Sequence, residues 1–311
     1  MEDSADISTS PDSESYEERG PSSRIKLNHP PKVIVGNINE LTLRNRTVDK
    51  CVSNFVSYSC YLSQVEPTKV EKALQDESWV EAMHDELLQL QRNDIWTLVP
   101  RLEDEHIISR KWIFCNKTDE EGNVIRNKAR LVAQGYSQIK GVDYDETFAP
   151  VVGMESIRIL LALACHLKFK LYQMNIKNAF LNGLLKEDVY VAQPKVFIDP
   201  HFPDNVLYLK KALYGLKQAS RAWYKQLTQY LVSHRFTRGK ADQTLFIKRE
   251  DGELIIAQVY VDDIIFGSTK DELAHSFLKP MQAEYEISMI GELTHFFVLQ
   301  IRQQESNIFL S

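Results

Sequence analysis

The stretch from Leu254 to Ser268 constrains this chain more than any other. It runs Leu-Ile-Ile-Ala-Gln-Val-Tyr-Val-Asp-Asp-Ile-Ile-Phe-Gly-Ser, two apolar β-branched runs around adjacent carboxylates. Such runs pack well as strands, so the expectation is a β-hairpin with Asp262 and Asp263 at its tip. A tight hairpin turn favours Asn-Gly or Asp-Gly, because both central residues take positive φ. Two neighbouring anions also repel each other unless a cation lies between them. A hard divalent ion with oxygen ligands would relieve that repulsion.

The rest of the chain has room for one large domain or two smaller ones, with 311 residues, 43% hydrophobic and 26% charged. The longest apolar run, Ile159 to Cys165, is too short to span a bilayer. The polar, acidic start is no secretory signal. Cys51, Cys60, Cys115 and Cys165 form no C-x-x-C pair and have no His at zinc-finger spacing. They read as reduced thiols of a cytoplasmic or nuclear protein. The net charge of −6 is concentrated at the start. Seven of the 43 acids but one of the 37 Lys and Arg fall within residues 1–20, which leaves 36 of each for the body.

Residues 1–24 are too poor in apolar side chains to offset the entropy of ordering and read as a disordered acidic tail. Residues 25–66 read as a linker with a short strand at Lys32 to Val35, and residues 67–311 as the folded domain. A helix is expected from Thr68 or Lys69 to Asn93. Lys111 to Phe114 and Asn127 to Ala133 should pair as a hairpin around a turn at residues 119–123. There Lys128 and Arg130, two apart, project from one strand face and could clamp a triphosphate or simply face solvent. A buried helix over 154–167 precedes a strand that runs into a turn and a short helix between Lys170 and Gly183. A further helix is expected over 270–286, then strands from Glu292.

From Asn205 to Ala241 no acid occurs, while Lys210, Lys211, Lys217, Arg221, Lys225, Arg235, Arg238 and Lys240 do. Tyr208, Tyr214, Trp223, Tyr224, Tyr230 and Phe236 lie among them. Basic residues with interleaved aromatics suit a surface that holds phosphates and stacks on bases. An amphipathic helix with a wet basic face and a packed aromatic one fits the pattern equally well.

Several of these stretches occur together and in order: Asn127 to Tyr136, Asp143 to Pro150, Gln173 to Gly183, Leu213 to Ala219, Arg221 to Tyr224, Tyr260 to Asp263, and Gly291 to Thr294. Over roughly residues 50–311 the chain resembles the reverse transcriptase domain of copia-type long-terminal-repeat retrotransposons. The resemblance implies an α+β right-hand polymerase with fingers and palm, a split β-α-β palm sheet and only the start of a thumb. It implies an RNA template, a DNA primer and deoxynucleoside triphosphates as partners, and two Mg²⁺ ions, with Mn²⁺ as a substitute. Asp262, Asp263 and the backbone carbonyl of Ile176 would hold metal. Lys128, Arg130, Phe180, Tyr214, Gly215, Lys217 and Gln218 would line the nucleotide pocket, and Phe180 would exclude a ribose 2′-hydroxyl. Lys210, Lys211, Arg221 and Lys225 would meet the nucleic acid. The ribonuclease H and integrase portions of such a polyprotein would be further partners, in a virus-like particle.

The chain departs from the family pattern at three positions. Asn175 stands where the family has its first catalytic aspartate, Ser220 where it usually has Pro, and Val298 where it usually has Gly. An amide brings no negative charge, so the resemblance implies impaired activity in this copy. The alternatives are a non-catalytic nucleic-acid-binding remnant and a metal-dependent nuclease built on the same carboxylates.

Overall fold

The structure, a computed structural model, describes residues 62–311 apart from residues 120, 305 and 306. The acidic tail, the strand at Lys32 to Val35 and residues 25–61 of the expected linker lie outside the described residues. The linker's last residues are tied to the folded body. Ser63 N donates to Asn127 Oδ1 (3.0 Å), Asn127 Nδ2 donates to Ser63 O (2.8 Å), and Trp79 Nε1 donates to Val65 O (3.1 Å).

The expected long helix is two: α1 (Val70–Ala73) and α2 (Glu77–Arg92). Asp76 breaks the run because its Oδ1 accepts from Ser78 N at 3.0 Å, capping α2. Trp79, Ala82, Met83, Leu88 and Leu90 are buried along α2, and so is Glu86. Two small sheets follow. Strands β1 (Trp96–Val99), β2 (Ile107–Ile108), β6 (Tyr190–Val191) and β7 (Val206–Leu209) form one, in the order β1-β7-β6-β2. Strands β3 (Arg110–Thr118) and β4 (Val124–Ala133) form the expected hairpin, closed where Asn123 N donates to Asp119 Oδ1 at 2.7 Å.

The largest sheet has six strands in the order β12-β5-β11-β10-β9-β8, every neighbouring pair antiparallel. They are β5 (Leu171–Ile176), β8 (Thr237–Arg238), β9 (Leu245–Glu250), β10 (Glu253–Tyr260), β11 (Asp263–Ser268) and β12 (Ile287–Glu292). Helices α3 (Met154–Leu167), α4 (Ala219–Ser233) and α5 (Asp271–Glu284) pack on it. On one face Met174, Ile176, Ala257, Val259, Ile264 and Phe266 meet Trp223 and Leu227 of α4 and Phe277 and Met281 of α5. On the other, Leu171, Ile256 and Ile265 meet Ile157, Leu160 and Leu161 of α3. Covering both faces explains why β10 and β11 read as continuous apolar runs rather than as alternation. The chain ends in a smaller sheet of β13 (His295–Phe296), β14 (Leu299–Gln303) and β15 (Ile308–Leu310).

One buried charge lies at the base of the β3–β4 hairpin. None of the three guanidinium nitrogens of Arg110 has a hydrogen-bond partner, and the group stands over the Trp96 ring at 5.4 Å. Burial alone pulls its pKa down to about 9, so the group is charged at neutral pH. An unpaired buried charge destabilises unless an apolar group replaces it. Arg110→Met should therefore raise the thermal midpoint, read by circular dichroism; a lower midpoint would show that the ring contact outweighs desolvation.

Candidate active site

The carboxylate pair does not sit symmetrically on the hairpin tip. Tyr260 pairs with Asp263, so Val261 and Asp262 make the turn and Asp263 opens β11. Val261 has φ +55, a region in which a β-branched side chain is strained. Two hydrogen bonds pin that backbone: Trp223 Nε1 donates to Val261 O (2.6 Å) and Ile176 N donates to Asp262 O (2.7 Å). Trp223 is 1% exposed, so the turn is anchored to the core through α4.

The register of β11 on β5 sets Asp263 directly opposite Asn175. Asn175 Nδ2 donates to Asp263 Oδ1 at 3.2 Å, and Gln173 Nε2 donates to the same oxygen at 3.2 Å. Thus the amide at position 175 works as a donor towards the carboxylate. Asp262, Asp263 and Asn175 are all partly exposed. Among the described residues no three or more His, Cys, Asp or Glu gather in a metal-holding group. Two carboxylates side by side remain a hard oxygen donor set suited to a divalent cation, one negative charge short of three carboxylates.

Beyond the turn stands an aromatic wall. Phe180, in a 3-10 turn at Ala179–Asn182, lies 5.6 Å from the Tyr214 ring. Tyr214 OH donates to Asn178 Oδ1 at 3.4 Å, and the Arg130 guanidinium stands 5.0 Å over the Tyr214 ring. Burial first, with Asp262 among the nearby acids, pushes the Tyr214 phenol up to about 12, so it stays a neutral donor. Lys128 and Arg130 share one face of β4, and burial and the neighbouring Arg130 lower the Lys128 pKa. Glu86 lies near both. It is 6% exposed, accepts from Leu131 N at 3.2 Å, and feels both cations.

Two glycines let this wall approach β4. A Cβ on Gly135 would stand 2.0 Å from Gly215 O, and one on Gly215, which has φ +89, would stand 2.2 Å from Ala133 O. Ala133 N donates to Tyr214 O at 2.7 Å across the same gap.

Other expected site residues are drawn elsewhere. Gln218 is 2% exposed with both ends engaged: Nε2 donates to Asp143 O (2.8 Å) and Oε1 accepts from Gln138 Nε2 (3.0 Å). Its carboxamide is thus engaged within the protein through both its nitrogen and its oxygen. Lys217 Nζ donates to Gln138 O and Tyr144 OH, each at 3.2 Å, and lies over the Tyr144 ring at 4.8 Å. Lys210 pairs with Asp94, Lys211 Nζ donates to Asn93 O, and Arg221 pairs with Glu146 and donates to Phe148 O. Lys225 is exposed. Of the aromatics expected to stack on bases, Trp223 and Phe236 are core residues. The amphipathic-helix reading thus holds for α4. Sequence reasoning gave no individual role to Gln173, Asn178, Glu86, Gln138 and Asp143, and took Trp223 as a stacking aromatic; Glu86 carried a signal, an acid inside the apolar stripe of α2.

These features are a nucleic-acid polymerase's in kind: a carboxylate turn, a cationic strand and an aromatic wall between them. Residues 93–311 match the family described as reverse transcriptase (RNA-dependent DNA polymerase), and the chain belongs to that family. It is 39% identical over 250 residues to the retrovirus-related Pol polyprotein from transposon RE1 of Arabidopsis thaliana, which covers 80% of this chain and 17% of that protein. The corresponding RE2 polyprotein of Arabidopsis thaliana is 37% identical over 247 residues, 79% of this chain and 17% of that protein. The TNT 1-94 polyprotein of Nicotiana tabacum is 33% identical over 229 residues, 73% of this chain and 17% of that protein. The chain therefore carries a copia-type reverse transcriptase domain and spans about a sixth of these relatives. No helix among the described residues is long and apolar enough to cross a membrane.

Burial holds the Glu86 carboxyl above the usual carboxylate range. The folded state then keeps a proton that the unfolded chain releases, so stability falls as pH rises through the folded pKa. Glu86→Gln should remove that loss and flatten the fall of the urea midpoint as pH rises above the ordinary glutamate pKa. An unchanged slope would assign the titration to another group.

Proposed function

We propose that this chain is the fingers and palm of an RNA-directed DNA polymerase that extends a DNA primer on an RNA template. In this reading β3–β4 is the fingers hairpin, the six-stranded sheet is the palm, and residues 67–311 form the domain. The observation that carries it is the register that brings Asn175, Asp262 and Asp263 to one end of the sheet, where Ile176 N meets Asp262 O.

The residues take distinct tasks. Lys128 and Arg130 embrace the incoming triphosphate, two cations on one strand face suited to bridging phosphate oxygens. Tyr214 and Phe180 form the wall against the sugar, and Phe180 excludes the 2′-hydroxyl. Asp262, Asp263 and the Ile176 carbonyl would hold magnesium, which supplies an acidified primer 3′-hydroxyl and charge neutralisation at the leaving pyrophosphate. Gln173 and Asn175 orient Asp263 through one oxygen, leaving Oδ2 for that role. Lys225, exposed on α4, meets the primer–template backbone.

Asn175 weakens the site. Loss of one charged group that stabilises developing charge costs about 3–4 kcal/mol, roughly a thousandfold in rate. Primer extension on an RNA template with deoxynucleotides and Mg²⁺ should be slow for the chain as it stands and about a thousandfold faster for Asn175→Asp. Equal rates would overturn the assignment of residue 175. Lys225→Ala should lower the slope of log affinity against log salt for an RNA–DNA duplex by about 1, read by filter binding; an unaltered slope would remove Lys225 from the interface.

A further inference from the structure

A buried polar interlock joins the loop after β4 to the segment that carries Tyr214. Gln138 is 5% exposed, Gln218 2% and Asp143 2%. Gln138 Nε2 donates to Gln218 Oε1 (3.0 Å), while Gln138 Oε1 accepts from Lys217 N (2.8 Å). Gln218 Nε2 donates to Asp143 O (2.8 Å). The Asp143 carboxylate in turn accepts from Ile139 N (2.6 Å) and bonds His106 Nδ1 (2.8 Å). Three residues from Lys217, Tyr214 O takes the Ala133 N–H and the Tyr214 ring closes on Phe180 and Arg130. A surface loop needs no such arrangement. Buried carboxamides are costly when half-satisfied, and a fully satisfied network specifies one conformation.

We propose that Gln138 and Gln218 are positioning residues for the nucleotide pocket, two linked carboxamides, the second held by the Asp143 carbonyl, that set where Tyr214 stands. They touch no nucleotide and act through the backbone of residues 214–218. The inference rests on the polymerase reading above. Removing one carboxamide strands its partner's buried groups and frees the segment. Each single variant strands two buried groups, and the double variant also strands two, Lys217 N and Asp143 O, so the two losses do not add.

The test needs no bond formation. The full chain is bound to an RNA template with a dideoxy-terminated DNA primer, and dTTP is titrated opposite a templating adenine. Gel shift reads the dTTP concentration that half-stabilises the complex, with primer–template affinity measured separately without nucleotide. Gln138→Leu and Gln218→Leu should each raise the half-stabilising dTTP concentration tenfold or more and leave primer–template affinity within twofold. The double variant should be no worse than the more severe single one, because the two side chains act as one unit. Amide hydrogen exchange should quicken at residues 214–218 in the singles, with α4 beyond its first turn and the six-stranded sheet unchanged. Unchanged dTTP dependence, or an equal loss of primer–template affinity, would overturn the proposal alone. A parent complex indifferent to dTTP would overturn it together with the polymerase reading.

Discussion

The pairing of β11 with β5 is the constraint on which the site depends. Because side chains alternate along a strand, a slip by one residue would send Asp263 to the opposite face and bring Ile264 into its place. The slip is resisted from both sides of the sheet. Ile264 and Phe266 are locked among α4 and α5 residues, while Ile265 packs towards α3. The hydrophobic core thereby sets the position of a polar group, and the hydrogen bonds from Asn175 and Gln173 follow from that register.

The turn between β10 and β11 adds a local cost. Val261 sits in the left-handed region, where a β-branched residue is disfavoured by roughly 1–2 kcal/mol. Trp223 and Ile176 hold its neighbourhood through one hydrogen bond each, and Trp223 brings the whole interior of α4 behind that bond. Of the two readings the sequence left open, the packed aromatic face is the one seen along this helix. Its aromatic face looks inward at Tyr285, Phe277 and the sheet, and its basic residues face outward.

Much of this was legible in the residues. The apolar runs around Asp262 and Asp263 announced a hairpin, and the two-residue spacing of Lys128 and Arg130 announced one strand face that carries both. What escaped has a common cause in distance along the chain. The stretch from Asn205 to Ala241 has no acid of its own, which suggested free cations. Yet Lys210 finds Asp94 and Arg221 finds Glu146, partners far away in sequence. The same holds for Gln138 and Gln218, ordinary polar residues until folding brings them together. The two-helix start was readable, since Asp76 is a good N-cap, but the apolar period through Ala73 and Trp79 masked it. The one-residue offset at the tip was not readable, because a turn with positive φ at Val261 runs against local preference and is imposed by its anchors.

The close approach of Gly135 and Gly215 has a consequence for how such a chain can drift. Neither residue carries a functional group, and conservative exchange to alanine would force backbone against backbone at distances no rotamer can relieve. At position 175, by contrast, the side chain is partly exposed and the strand pairing runs through the backbone beneath it. Side-chain identity at this end of the sheet is therefore freer to vary than the path of the backbone around it, and drift in sequence reaches the donor groups before it reaches the walls that surround them.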